Sequence, residues 1–380
     1  MHSAAVLEPD RTERRLRILQ LIPTLVVGGA ERMVAALSIH LRRWGHTVAV
    51  VSMYPPFGTW IEKDLQAESV PITFLGKRSG PDLRVVPRIR RAIAEFRPDV
   101  LHTHLYVLKY ALPALLTTRR CPVVHTIHNL ADKEVDRPSM MLQYLAFRAG
   151  VTPVAIGRSV AESIRRCYGL QPAHVIPNGV PAEHFSPPRG ARDEVRASLG
   201  LKYDAPVFVS VGKLEPQKNH HGLLLAFASD RLARIGAHLL LVGDGFLRRD
   251  LEARARALAC GDRVHFLGVR SDVPRVLAAA DAFVLASHYE GNPLSVMEAM
   301  AAGKAVVATA VGCVPELVAD ESGQLVPPGD VPALEAALFE IAQDLRRAQV
   351  MGAAGGRIAA ARFDDVLMAR AYEQLYRERA

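Results

Sequence analysis

Ser287-His-Tyr-Glu290-Gly-Asn-Pro-Leu-Ser-Val-Met-Glu298-Ala-Met-Ala-Ala-Gly-Lys-Ala-Val-Val-Ala-Thr309 carries two glutamates with seven residues between them and a helix start in the gap. Upstream, Asp281-Ala-Phe-Val-Leu-Ala286 reads as a short buried strand, and Lys304 to Thr309 reads as the next one. Between them lies one strand, loop, helix and turn. Asn292 suits an N-cap and Pro293 the first helical position, where a missing N–H costs nothing. Gly303 suits the helix stop. The N–H groups of Leu294 and Ser295 then point out of the positive end of the helix, which makes a site for an anion such as phosphate. Glu290 in the loop can accept hydroxyls on one side of that anion and Glu298 on the other, an arrangement suited to a sugar nucleotide. Paired carboxylates are most often surface charge. Glu298, however, lies inside the apolar run Leu294 to Ala302, where a carboxylate needs a partner.

The stretch resembles the signature of the family-4 retaining glycosyltransferases, E-G-x-P-L-x-x-x-E-A-M-A-x-G-x-P-V-V-A-T. It departs at Ala305, where proline is more usual, and at Cys313, where the V-G-G-V-P-E pattern has glycine. The resemblance implies the GT-B architecture: two Rossmann-like, doubly wound α/β domains facing across a cleft. It makes Glu290, Gly291, Asn292, Leu294, Ser295 and Glu298 donor-binding residues, with Glu290 also catalytic.

Bulk properties agree with a two-domain globular protein. The chain has 380 residues, enough for two cores, and its 49% apolar and 23% charged composition is that of a globular protein. No apolar run is long enough to span a bilayer, and residues 1 to 16 do not resemble a secretory signal, so a cytoplasmic protein is expected. Cys121, Cys167, Cys260 and Cys313 lack C-x-x-C spacing and suggest neither a zinc site nor a disulfide frame. The net charge of +8 is uneven: residues 1 to 180 hold 24 Lys and Arg against 14 Asp and Glu, the remainder 23 against 25. Such a basic front half makes an anionic membrane surface or nucleic acid a candidate partner.

Arg17 to Pro23 reads as a first strand, Gly28-Gly29-Ala-Glu-Arg32 opens an apolar-periodic helix stopping at Gly45, and Thr47 to Ser52 is a second strand. This order begins a doubly wound sheet. The Gly28-Gly29 loop resembles the family's N-domain loop at the interdomain cleft, hence a donor contact. Val85 to Phe96 is a helix with Val85, Ile89, Ile93 and Phe96 on one face and Arg84, Arg88 and Arg91 on another, either a solvated face or a membrane-surface patch. Asp99 to His102 and Pro122 to Ile127 read as strands. His102, His104, His125 and His128 have no carboxylate or cysteine nearby to complete a ligand set, so no metal is expected there. His128 stands at a strand's C-terminal end, where open α/β sheets bind ligands, and matches the family's T-x-H-N/D position, which implies contact with the transferred sugar.

Val175-Ile-Pro-Asn-Gly-Val180 resembles the family's segment at the exit from the first domain, and the proline-rich residues after it read as the linker. Pro206 to Val211 is a strand delivering Lys213 and Lys218, two cations at a strand lip suited to a diphosphate. The family has arginine where Lys213 stands, which removes bidentate geometry there. Val264 to Gly268 continues the alternation, and the resemblance assigns the main chain of Phe266 and Leu267 to the base. The expected division is a disordered tail over 1–16, an acceptor-binding domain over 17–186, a nucleotide-sugar domain over 187–363, and a last helix over 364–380 crossing back to the first domain.

The expectation is a retaining, metal-independent glycosyltransferase with His128, Lys218 and Glu290 as catalytic groups. It needs no cofactor beyond its UDP- or GDP-sugar co-substrate. A glycan, a lipid-linked sugar or a small molecule accepts the sugar, the membrane contact is peripheral, and nucleic acid is not a partner. The rivals are a sugar-nucleotide epimerase of the same architecture, which would need acid–base groups on the ring, and a catalytically silent sugar-binding scaffold. Release of nucleoside diphosphate dependent on acceptor separates the three.

Overall fold

The computed structural model describes residues 14–116, 121–171, 174–186 and 188–380. Two compact units emerge. The first takes residues 1–155, 163–176 and 368–380, the second 156–162 and 177–367. Residues 156–162 group with the second unit, which interrupts the continuous span expected for the first, and residues 368–380 of the last helix group with the first unit.

The first unit is built on a seven-stranded parallel sheet: β1 Arg17–Ile22, β2 Thr47–Ser52, β3 Ile72–Phe74, β4 Val100–His104, β5 Val123–Ile127, β6 Thr152–Ala155 and β7 His174–Val175, in the order β3-β2-β1-β4-β5-β6-β7. A parallel sheet is covered on both faces, which is why its strands read as nearly unbroken apolar runs. β2 is buried along Val48 to Ser52, and Ile18, Leu37, Val50 and Val100 form its core with the helix Gly29–Arg43. Tyr372 and Tyr376 of the last helix, Asp365–Arg379, belong to the same core. β4 runs to His104 rather than ending at His102 as expected, because the polar rings on this strand are hydrogen-bonded in the interior. Of the tail expected over 1–16, residues 1–13 lie outside the described residues. Leu16 is buried, with its N–H donating to His46 Nδ1 at 3.1 Å, and Arg14 pairs with Asp99 at 2.9 Å.

The second unit has a six-stranded parallel sheet: β8 Val207–Val211, β9 His238–Val242, β10 Val264–Gly268, β11 Ala282–Leu285, β12 Ala305–Thr309 and β13 Gly323–Val326, in the order β10-β9-β8-β11-β12-β13. From β8 the chain winds outward through β9 to β10, then returns to place β11 on the other side of β8. The carboxyl ends of β8 and β11 therefore mark the sheet's switch point, the place where open α/β sheets bind ligands. In the first sheet the corresponding reversal falls between β1 and β4. Among the described residues no helix is long and apolar enough to cross a membrane.

Candidate active site

The loops that leave β8 and β11 meet at the switch point of the second sheet. Lys218 Nζ donates to Glu290 Oε1 at 2.6 Å, and Ser287 Oγ donates to the same oxygen at 2.6 Å. Gln217 joins the two loops: its side-chain amide donates to Tyr289 O at 3.0 Å, and its carbonyl accepts from His288 N at 2.8 Å. Glu290 is thus a buried carboxylate, 5% exposed, held by a cation and a hydroxyl through one oxygen, while among the described residues Oε2 has only a long contact of 3.5 Å from Gln217. That second oxygen keeps accepting capacity for a hydroxyl. Lys218 and Glu290, assigned separately from sequence to a diphosphate and to hydroxyls, are here one ion pair. The sequence singled out neither Ser287 nor Gln217. Ser287, three residues before Glu290 at the end of a buried strand, was the legible signal.

The helix after this loop spans Leu294–Ala301, with Pro293 as N-cap. Asn292 does not cap it, contrary to expectation. Its side-chain amide is committed elsewhere, donating to Ile156 O at 2.5 Å, while its own carbonyl accepts from Asn178 Nδ2 at 3.1 Å. Asn292 ties the site loop to the segments 156–162 and 177–180 instead. The first backbone bond at this end is Val296 N to Pro293 O at 3.2 Å, so the outward N–H groups are those of Leu294, which is buried, and Ser295, half-buried. Glu298 is 1% exposed one turn further on.

Backbone closes the loop from beneath. Gly312 has φ +52°, and a Cβ there would stand 1.9 Å from Glu290 O, so both the turn and the contact demand glycine. Cys313 N then donates to Gly291 O at 2.9 Å. The cysteine that departs from the family pattern is accommodated by Gly157, whose absent Cβ would lie 2.3 Å from Cys313 Sγ. Burial pushes the Cys313 thiol up to about 12, so it is an inert packing group. Glu316 accepts from Arg158 N and Ser159 N, both at 2.9 Å, and caps the helix Arg158–Tyr168.

Lys213 is exposed at the lip of β8. At the edge strand β10, pairing with β9 shifts register between Phe266 and Gly268, so Leu267 drops out of the ladder. Phe266 O accepts from Arg248 at 3.3 Å. A bulge on an edge leaves the Leu267 main chain open to a ligand.

Gly28, Gly29 and His128 belong to the first unit. Gly28 is the N-cap of Gly29–Arg43, and the Glu31 carboxylate folds back against it while accepting from Thr24 Oγ1 at 3.1 Å. The close approach that glycine allows there is used by the protein's own anion. His128 follows β5; its N–H donates to Glu134 Oε2, as does Asn129 N at 2.9 Å. Burial lifts the Glu134 carboxyl to about 8 and pulls the His128 imidazole down to about 3. His128 Nε2 lies 3.0 Å from His104 Nδ1, a partner the sequence did not assign.

Two parallel α/β sheets, with polar loops gathered at the strands' carboxyl ends and an anion-ready helix beside a buried Lys–Glu pair, define a transferase of the GT-B fold. The chain belongs to the group 1, family-4 type glycosyltransferases: the model described as "Glycosyl transferases group 1" matches residues 191–357, and "Glycosyltransferase Family 4" matches 27–184. It is 32% identical to a D-inositol 3-phosphate glycosyltransferase of Xylanimonas cellulosilytica, over 70% of this chain and 68% of that one. It is 29% identical to the UDP-Gal:alpha-D-GlcNAc-diphosphoundecaprenol alpha-1,3-galactosyltransferase of Escherichia coli, over 76% and 78%. Among solved structures, Anabaena Alr3699/HepE in complex with UDP-glucose superposes with TM-score 0.85 at 22% identity, covering 96% of this chain and 100% of that one. The protein is a glycosyltransferase.

Proposed function

We propose that the enzyme is a retaining glycosyltransferase that takes a sugar from a UDP- or GDP-linked donor without a metal ion and delivers it to a lipid-linked or glycan acceptor. The observation that carries this reading is the Lys218–Glu290 pair beside the outward N–H groups of Leu294 and Ser295. A leaving diphosphate needs its charge met as the sugar–oxygen bond breaks, and a lysine with a helix N-terminus meets it with fixed protein groups. The sequence has no Asp-x-Asp pair of the kind that holds a divalent ion in transferases of the other main architecture. Glu298 takes the ribose hydroxyls, Glu290 Oε2 a hydroxyl of the transferred sugar, and the Leu267 main chain the base. The E. coli relative's name specifies a lipid-diphosphate acceptor and an α linkage, which supports the acceptor class and the stereochemistry.

Membrane contact fits the same reading, by a different surface from the one read in the sequence. The apolar face of Val85–Phe96 is spent in the core; Arg84 pairs with Asp82, Arg91 with Glu95 and Arg88 with Leu75 O, while Arg90 is exposed on the same helix. The helices Leu108–Leu115 and Arg137–Arg148, joined by Lys109 and Ser139, instead expose Leu116 (86%), Met141 (61%) and Leu145 (55%) near Arg137 and Arg148. Apolar side chains flanked by arginines suit an anionic lipid surface.

Calorimetry of UDP and GDP binding in excess EDTA tests the donor site. One of the two nucleotides binds, and Glu298→Ala, folded by circular dichroism, weakens it tenfold or more, as expected for about 1.5–3 kcal/mol from a charged acceptor. Affinity unchanged in that variant refutes the assignment.

A further inference from the structure

A chain of hydrogen bonds crosses the interior of the first unit and ends at His128. From the far end, Tyr372 OH lies 2.9 Å from Thr126 Oγ1, which lies 2.7 Å from His102 Nε2. His102 Nδ1 is 2.5 Å from Tyr376 OH, and Gln20 Nε2 donates to that hydroxyl at 3.4 Å. Gln20 Oε1 accepts from His104 Nε2 at 2.9 Å, and His104 Nδ1 is 3.0 Å from His128 Nε2. Gln20, His102, His104, Thr126, Tyr372 and Tyr376 are all fully buried. The last atom, His128 Nδ1, is buried as well and has no hydrogen-bond partner among the described residues.

A neutral imidazole has one N–H, so fixing one ring in such a chain fixes the next. With the Gln20 oxygen toward His104, His104 must carry its proton on Nε2 and accept at Nδ1. His128 must then donate from Nε2. On the other side, the Gln20 amide donates to Tyr376, Tyr376 donates to His102 Nδ1, and His102 donates from Nε2 to Thr126. All three rings share one tautomer, the Nε2–H form. We propose that Gln20 and His104 are positioning residues that hold His128 as this tautomer, so that it presents the bare lone pair of Nδ1 as acceptor for a hydroxyl of the substrate. This rests on the reading of His128 as a ligand-facing residue. Burial holds the ring neutral far below neutral pH, so the lone pair stays available throughout the working range. A half-turn of the Gln20 amide would reverse every link, giving three Nδ1–H rings and a donor at His128. The two settings are chemically opposite at His128 Nδ1, the ring nitrogen left without a partner among the described residues.

Long-range proton–nitrogen correlation spectra of histidine-labelled protein distinguish them directly. The expected result is Nε2–H for His102, His104 and His128. Nδ1–H on the three rings overturns the proposal. Gln20→Leu, which interrupts the chain at equal bulk, is expected to let His104 and His128 sample both tautomers while His102 keeps its own, and to lower kcat/KM about tenfold. Should that variant not fold, Tyr376→Phe removes a single hydroxyl and is expected to release His102 from its tautomer; an unchanged His102 there counts against the chain. The spectra do not depend on the functional reading. If the tautomers are as expected but His128→Phe leaves kcat/KM unchanged, the ligand-facing role fails and the hydrogen-bond chain survives as structure only.

Discussion

Replacing Lys218 with alanine should injure the enzyme twice, and the two injuries should be separable. Among the described residues the lysine ammonium is the only full charge hydrogen-bonded to the Glu290 carboxylate, whose side chain is 6% exposed, whereas the lysine side chain is 19% exposed. Stripping one partner from a buried pair costs about 3–5 kcal/mol. Because Ser287 still donates to the same oxygen and the lysine end is partly wet, about 2 kcal/mol is expected here. Turnover should fall on the order of a hundredfold, as for one lost charge-stabilising donor. Adding Glu290→Gln removes the stranded charge, so Lys218→Ala/Glu290→Gln should regain most of the stability and none of the activity. The assay is urea unfolding followed by circular dichroism, with turnover measured in parallel on the same preparations. A single variant as stable as the parent, or a double variant no more stable than the single, refutes the ion-pair account.

The first unit should be the acid-labile one. His102, His104 and His125 are fully buried, and burial draws His125 down to about 3 and the other two well below the ordinary histidine range. The unfolded chain takes up protons below about pH 6.5 that the folded rings refuse, so their stability is present above that pH and is lost as pH falls toward 3; with His128 the four rings forfeit roughly 5 kcal/mol between pH 7 and pH 5.5, and Glu134, whose raised carboxyl binds its proton in the folded unit, offsets about 2 kcal/mol of that. Both tryptophans, Trp44 and Trp60, lie in this unit, so their fluorescence should report its transition at mild acid, and a fluorescence midpoint in urea that is the same at pH 5.5 as at pH 7 contradicts the assignment. Gly157→Ala should destabilise by about 1–3 kcal/mol through overpacking against Cys313, and Cys313→Gly in the same chain should relieve it; a tolerated alanine alone would show that the contact yields. Binding to anionic vesicles should weaken with salt and with Met141→Ser/Leu145→Ser, and vesicles ignored at low salt leave the exposed stripe as plain surface.

Much of the second unit was legible because its strands, turns and site fall in one run of sequence. β11, the helix Leu294–Ala301 and β12 follow each other within Ala282–Thr309, and Glu290 and Glu298 declare themselves by lying in apolar surroundings. The Asn292 cap was misread because its competing acceptor, Ile156 O, is more than a hundred residues away, and local capping rules are blind to it. The pairing of Lys218 with Glu290 was hidden for the same reason. It depends on β8 and β11 being neighbours, and strand order is a tertiary fact. In the first unit the histidines were visible but not their purpose, since Gln20, Thr126, Tyr372 and Tyr376 come from opposite ends of the chain. The long helix Leu345–Arg362 was not read from the sequence; its Gly352 and Gly355 are buried in close packing against the rest of the unit, a tertiary fact.

The most direct test is to run transfer from a panel of UDP-, GDP- and ADP-sugars to a lipid-diphosphate-linked sugar in excess EDTA, and to read the anomeric configuration of the product by NMR. The account predicts acceptor-dependent release of nucleoside diphosphate from one donor, undiminished by EDTA, with the new linkage keeping the donor's configuration. Activity that vanishes with EDTA and returns with magnesium or manganese, or a product of inverted configuration, would contradict it.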